Sequence, residues 1–214
     1  LHVVFAVDRA GLVGEDGATH HGTFDVGFLR QIPGMLLLGP ASMAEQQAML
    51  RWAVEEYNGP VAIRYPRGGN RTYQQSAWQG RESGVHVHRQ GGDVTLITYG
   101  TLLDNVMQAA EILASQGIEA TVLRLLKLSE WDMEAIAAQI CENKQIIILE
   151  EACSGSGIGE ALAWKLTQKI PGCRVQIKDL GRNFVTHGSV DMLYKQCGLD
   201  GASIADLTKE VLRK

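Results

Sequence analysis

Between Asp8 and Asp25 the chain sets Asp16, His20, His21 and Asp25 among four glycines, Gly11, Gly14, Gly17 and Gly22. Glycine permits tight turns and close approach of backbone to a ligand. An imidazole beside carboxylates suits proton transfer to or from a carbonyl or hydroxyl group. The same residues also fit a solvated loop in which Thr23 or Asp25 caps the helix that follows. A metal site built from Asp16, His20 and His21 is a third reading, and two things count against it: adjacent histidines diverge, and no His pair sits four residues apart on a helix. A second candidate is Arg64-Tyr65-Pro66-Arg67-Gly68-Gly69, where an arginine at a strand end, with glycines leaving room, can hold a phosphate with two hydrogen bonds or simply pair with a nearby carboxylate. A third, Glu150-Glu151-Ala152-Cys153-Ser154-Gly155-Ser156-Gly157-Ile158-Gly159, resembles a phosphate-binding glycine loop. It has no following Lys-Ser/Thr and no GxGxxG, so it reads first as a tight strand-to-helix turn. His187 reads as a turn or interface residue rather than a catalyst.

All three candidates follow short apolar runs, and in open α/β sheets ligands gather beyond the carboxyl ends of strands. The run 1–7, rich in β-branched residues, predicts a strand buried on both faces. Such a strand needs neighbours, so we expect the chain to be part of a longer polypeptide, with a partner or further segment covering that sheet. A short helix over 24–31 and a strand over 35–38 follow. Ser42 with Glu45 three residues on predicts a capping box for a helix ended by Asn58-Gly59, and 61–63 is the next strand. Residues 68–84 lose periodicity and read as a flexible polar linker. Beyond it a second series alternates strands at 85–88, 94–99, 120–125, 146–150 and 174–179 with helices at 102–115, 133–141, 158–169, 190–197 and 204–213. The pattern predicts two three-layer α/β/α units with mostly parallel sheets.

Composition narrows the function classes. The 214 residues carry 20 Lys and Arg against 24 Asp and Glu, a net charge of −4. With no basic block, nucleic acid and acidic membrane surfaces are poor partners. No run approaches the ~20 apolar residues of a membrane helix. Cys141, Cys153, Cys173 and Cys197 show no CxxC spacing, which favours reduced thiols and a cytoplasmic setting over zinc or disulfides.

Taken together, Asp8-Arg9-Ala10-Gly11-Leu12-Val13-Gly14, Asp16-Gly17, Thr19-His20-His21-Gly22, Phe24-Asp25, Tyr65-Pro66-Arg67-Gly68 and the Glu150-Glu151 strand end closely resemble the deoxyxylulose-phosphate synthase family of the transketolase superfamily. The matches run in order along the whole chain. The resemblance implies that residues 1–70 are the C-terminal half of a thiamine-diphosphate pyrimidine-binding domain, 71–83 a linker, and 84–214 a transketolase C-terminal domain. It implies thiamine-diphosphate-dependent joining of pyruvate to D-glyceraldehyde 3-phosphate with loss of CO2, in a homodimeric enzyme that also uses Mg2+. On the motif positions it makes His20 and Asp16 catalytic, Arg67 the clamp on the acceptor's phosphate, and Arg9 and His21 pocket-shaping; Glu15 receives no role.

The departures from the family pattern matter as much. No Gly-Asp-Gly run followed by Asn is present to hold diphosphate and magnesium. The cofactor-activating glutamate and the ring-stacking aromatic precede Leu1 in the family pattern, and Glu55 and Glu56 lie on a helix where they cannot replace that glutamate. No cofactor-binding or metal-binding residue is therefore assigned here, and the chain alone is expected neither to bind thiamine diphosphate tightly nor to turn over. The alternatives are a transketolase, the β subunit of a 2-oxo-acid dehydrogenase, or a non-catalytic assembly module. The Asp16, His20 and Arg67 set favours an enzyme with a phosphorylated acceptor.

Overall fold

A computed structural model describes residues 1–14, 16–69, 71–82 and 84–213. Glu15, to which no role was given, and Asn70 and Ser83, at the expected linker boundaries, lie outside the described residues, as does Lys214.

The first sheet is parallel throughout, in the order β1 (Val3–Val7), β3 (Pro60–Arg64), β2 (Leu36–Leu38). Its side chains alternate between faces, as the strand repeat of two demands. Leu36, Leu38, Val61 and Ile63 pack with Met49, Trp52 and Ala53 of helix α2 (Met43–Glu55). Leu37 and Ala62 face the other way and join Val26 and Leu29 of helix α1 (Asp25–Leu29). One expectation is corrected here. β1 is not buried on both faces: it is an edge strand, and Val3 and Phe5 are exposed. An apolar run specifies a strand, but its burial depends on which strands lie beside it.

The second sheet runs β4 (Val85–Arg89), β6 (Ala120–Leu125), β5 (Val94–Tyr99), β7 (Gln145–Leu149), β8 (Arg174–Lys178), with only β4 antiparallel among these strands. One face, carrying Leu96, Val122 and Ile147, is covered by helices α3 (Leu103–Ala114), α6 (Val190–Cys197) and α7 (Gly201–Leu212). The opposite face, carrying Ile97, Leu123 and Ile148, meets α4 (Met133–Ala137) and α5 (Gly159–Lys169). This same apolar cluster contains Leu37 and Ala62 of the first sheet, so the two units share one core. Such α/β layering with mainly parallel strands is the architecture the alternating pattern calls for. Helix α7 starts three residues before the expected position because Asp200 caps it, accepting the Ser203 amide.

The capping box is half realised. Ser42 accepts the Glu45 amide at 3.1 Å, but the Glu45 carboxylate does not return to Ser42. It accepts from Ala41 N and Ala77 N at 2.8 and 2.9 Å and pairs with Arg124 of β6. The polar connection between the units is correspondingly docked rather than loose. Thr72 N and Tyr73 N donate to Asp104, and Trp78 is buried edge-on against Trp52.

Candidate functional site

The loop after β1 is closed at its base. Gly11 and Gly22 exchange N–H···O bonds of 2.9 Å in both directions, and Ala10 N donates to Tyr65 O beyond β3. Arg9 stands in the left-handed region at φ 64°, a conformation that costs a non-glycine residue about 1–3 kcal/mol. Its amide donates to Asp8 Oδ1 at 2.7 Å, which helps to hold it there. The loop therefore presents Arg9 and Asp16 toward the segment that carries Arg67.

Asp16 unites two of the three candidate segments. Its Oδ2 lies 2.5 Å from Arg67 Nη1 and 3.5 Å from Arg9 Nε. The hydrogen bond from Arg67 is the main influence holding the Asp16 carboxyl below its ordinary range, against a smaller opposing effect of desolvation. Arg67, half exposed, also lines a cavity of about 330 Å³ with Leu12, Arg71, Glu151 and Tyr194. A carboxylate between two guanidinium groups, one of them bordering a cavity, forms a polar site suited to an anionic, hydroxyl-bearing ligand.

The two adjacent histidines separate. His20 is exposed; its Nδ1 meets Thr19 Oγ1 at 3.0 Å and its amide donates to Gly17 O. His21 is buried. Its Nδ1 accepts Val13 N at 3.1 Å, so Nε2 carries the proton and donates to Thr186 O at 3.2 Å. One ring nitrogen of His21 thus braces the loop internally through Val13, and the other ties the loop to the second unit through Thr186. Among the described residues no group of three His, Cys, Asp or Glu side chains stands close enough to hold a metal ion.

Asp25, expected as a proton-transfer group or a helix cap, does not cap a helix, and its carboxylate is committed to a buried ion pair. Helix α1 follows Phe24 without a side-chain cap, and Asp25 is buried against Arg64, accepting from Nε at 2.8 Å and Nη2 at 3.3 Å. Arg64 also donates to Gly22 O. Burial acts to lower the Arg64 pKa, but the Asp25 charge carries it above the ordinary arginine value. Of the two arginines in the second segment, Arg64 is consumed by structure and Arg67 reaches the cavity.

The third segment forms the tight turn. Glu150 accepts Ile158 N and Gly159 N at 2.8 and 3.0 Å, and Tyr99 Oη donates to it at 3.1 Å. Its carboxylate fills the N-terminus of α5, where a phosphate would otherwise sit. A Cβ on Gly157 or Gly159 would collide with that carboxylate. A diphosphate therefore finds no cradle in this glycine turn, which is occupied by an acidic side chain. The turn serves another purpose. Cys153 N and Ser156 Oγ both donate to Thr23 O, at 3.0 and 2.7 Å, and hold the end of the first loop.

Sequence reasoning missed Arg124 and Tyr194; it named Glu45 only as a capping-box residue and Glu151 only within the third segment, without their partners. The available signals were an arginine inside an otherwise apolar strand, and acidic residues at positions where the helix and strand periods call for burial.

Comparison with known proteins is consistent along the whole chain. Residues 1–72 match the transketolase pyrimidine-binding domain and residues 83–204 the transketolase C-terminal domain. The chain is 37% identical over its full length to 1-deoxy-D-xylulose-5-phosphate synthase of Chlorobium luteolum, covering 34% of that protein. It is 39% identical to the synthase of Desulforudis audaxviator, over 93% of this chain and 32% of that one. It thus spans about a third of the length of the curated relatives it matches. Among solved structures, a split-gene transketolase described as an inactive β4 tetramer superposes with a TM-score of 0.84 at 25% identity, over 100% of this chain and 67% of that one. A transketolase variant from Pichia stipitis shares the fold at a TM-score of 0.77 and 18% identity, over 100% of this chain and 30% of that one.

Proposed function

Because the chain belongs to the transketolase family, we propose that it forms the acceptor-side part of a thiamine-diphosphate-dependent deoxyxylulose-phosphate synthase. The reaction joins pyruvate to D-glyceraldehyde 3-phosphate with loss of CO2 and serves isoprenoid, thiamine and pyridoxal biosynthesis. The observation that carries this reading is the contact of Asp16 with Arg67 and Arg9 beside the cavity.

In this reading Arg67 grips the aldehyde's phosphate, and its fixed fork of donors orients the chain of the sugar. Arg9 adds a second positive charge beside Asp16 and assists Arg67, the larger influence, in lowering the Asp16 pKa. Asp16 accepts a hydrogen bond from a substrate hydroxyl. His20, exposed on the same loop, delivers a proton to the acceptor's carbonyl oxygen as negative charge develops there. His21 holds the loop and moves no proton, since both its nitrogens are engaged.

In this reading the cofactor's diphosphate and its Mg2+ are held by residues other than these, a view supported by Glu150 filling the glycine turn after β7. The 214-residue chain alone is expected neither to bind thiamine diphosphate tightly nor to turn over, and a micromolar dissociation constant for the cofactor measured on it by calorimetry would overturn that expectation. Co-expression with an N-terminal complement tests the whole reading, since an assembly module would bind the complement without restoring synthase activity. In the active assembly, Arg67→Ala should raise the apparent KM for the phosphorylated aldehyde by about 10- to 100-fold, as expected for loss of a charge-assisted phosphate contact. The KM for pyruvate should hardly move, and equal effects on both substrates would remove the phosphate role.

A further inference from the structure

The loop that carries Arg9, Asp16 and His20 is gripped from the second α/β unit at several points, and one of them reaches the cavity itself. Thr186 O, Cys153 N and Ser156 Oγ hold its distal parts through His21 and Thr23. Nearer the cavity, Glu151 Oε1 accepts the Leu12 amide at 3.0 Å across 139 residues of sequence. Gly11 is what lets the carboxylate come this close: a Cβ there would stand 2.5 Å from Oε1 and 2.7 Å from the carboxyl carbon. Glu151 is buried, interacts with the Tyr194 hydroxyl, and with Tyr194 lines the cavity that Arg67 also borders.

We infer that Glu151 is a positioning residue through which the second unit sets the Leu12 end of the loop, and with it Arg9 and Asp16, against the cavity lined by Arg67. The sugar-phosphate part of this inference rests on the function proposed above; the loop-setting part does not. A carboxylate is suited to this post because one oxygen can take the Leu12 amide while acceptor capacity remains for Tyr194. The charged and titratable groups facing it are Arg64 from β3, Arg71 from the connection between the units, and Tyr194 and Cys197 from α6. Burial is the largest influence on its pKa and raises it above the ordinary glutamate value, with the Leu12 amide, Arg64 and Tyr194 acting in the opposite sense.

The test uses the full chain as wild type, Glu151→Gln and Glu151→Ala, with the Leu12 amide followed by NMR. In wild type the Leu12 amide signal should titrate with an apparent pKa above the ordinary glutamate range. In E151Q that titration should vanish while slow amide exchange at Leu12 persists, because the amide oxygen still accepts. In E151A both should be lost, with Leu12 exchange faster by about tenfold or more, as expected for loss of a hydrogen bond to a charged group. Unchanged exchange in E151A, or a persisting titration in E151Q, overturns the inference. Binding of D-glyceraldehyde 3-phosphate then separates it from the proposed function. If Arg67→Ala weakens binding and E151A does not, the positioning role falls alone. If Arg67→Ala has no effect, or the wild-type chain binds none, the phosphate reading falls and the Leu12 signals still decide the role of Glu151.

Discussion

Glu45 on α2 and Arg124 on β6 form a two-pronged ion pair with no exposed surface on either side chain: Oε2 to Nη1 at 2.5 Å and Oε1 to Nη2 at 2.9 Å. The first unit contributes the carboxylate and the second the guanidinium. The connection between them supplies Ala77 N to the same carboxylate, and His88 Nε2 accepts from Arg124 Nε at 3.0 Å. Burying two charges is costly unless each is paired and its remaining positions are bonded, and here both carboxylate oxygens take a backbone amide as well and Arg124 Nε is bonded to His88. Removing one partner strands the other. Glu45→Ala should therefore destabilise the chain by about 3–5 kcal/mol, read as a shift of the urea midpoint. An apolar replacement of both residues together should cost much less than the sum of the single changes, and additive costs would show that the pair is not coupled.

His88 should make the chain acid-sensitive above the carboxylate range. Burial first, and the Arg124 charge second, hold its pKa down to about 3. Its Nε2 accepts from Arg124 and has no place for a proton. An unfolded chain protonates this histidine near pH 6.5, while the folded chain resists until about pH 3. Between those values the unfolded state binds more protons, so stability falls as pH drops through that window. His88→Gln, measured by melting temperature between pH 7.5 and 5, should show a shallower decline than wild type. Parallel declines would exclude His88 as the source.

Much of the fold could be read in the chain because its signals are local. Ser42 marks the start of α2, and the apolar runs at Ala120–Leu125 and Gln145–Leu149 mark strands of the second sheet. The rest depends on contacts far apart in sequence. Glu45 sits at capping-box spacing, yet its carboxylate partner is 79 residues away. Asp25 reads as a cap until Arg64, 39 residues on, takes it. The run at Val3–Val7 has the composition of a buried strand, but only the strand order shows it at an edge. At the candidate site, it was the family resemblance, rather than residue type or spacing, that implied a shared role for Asp16 and Arg67. Of the clamp from the second unit, Thr186 acts through its backbone carbonyl and left no local signature, while the Glu151 carboxylate lay in a segment the sequence singled out but takes a partner 139 residues away.

Gly27 offers a test in which the usual sign is reversed. Alanine in place of glycine inside a helix ordinarily stabilises by about 1 kcal/mol. In α1, however, a Cβ at Gly27 would lie 2.8 Å from Ser156 O and 3.0 Å from Ser156 Cα. Backbone of the second unit cannot yield as a flexible side chain does. Gly27→Ala should thus destabilise by about 1–3 kcal/mol, the usual cost of overpacking. Gly92, with open space around it, serves as the control and should tolerate alanine with little change. A stabilised Gly27→Ala chain would mean that the two units do not meet as closely as described.

The Asp16 contacts set up a competition that can be measured. In the free chain Arg67 is bonded to Asp16, so an incoming phosphate must share or displace a carboxylate that already satisfies the guanidinium. Asp16→Asn keeps the shape but removes the charge that both Arg67 and Arg9 face. Inorganic phosphate, which gains nothing from a hydroxyl acceptor, should bind this variant more tightly, by about tenfold if one charge-assisted contact is freed. D-Glyceraldehyde 3-phosphate should gain less, because it loses the carboxylate that accepts from its hydroxyl. The preference for the sugar phosphate over bare phosphate should accordingly shrink in calorimetric titrations of the two ligands. Equal gains for both would leave Asp16 as a mere counterion to Arg67, with no part in recognising the sugar.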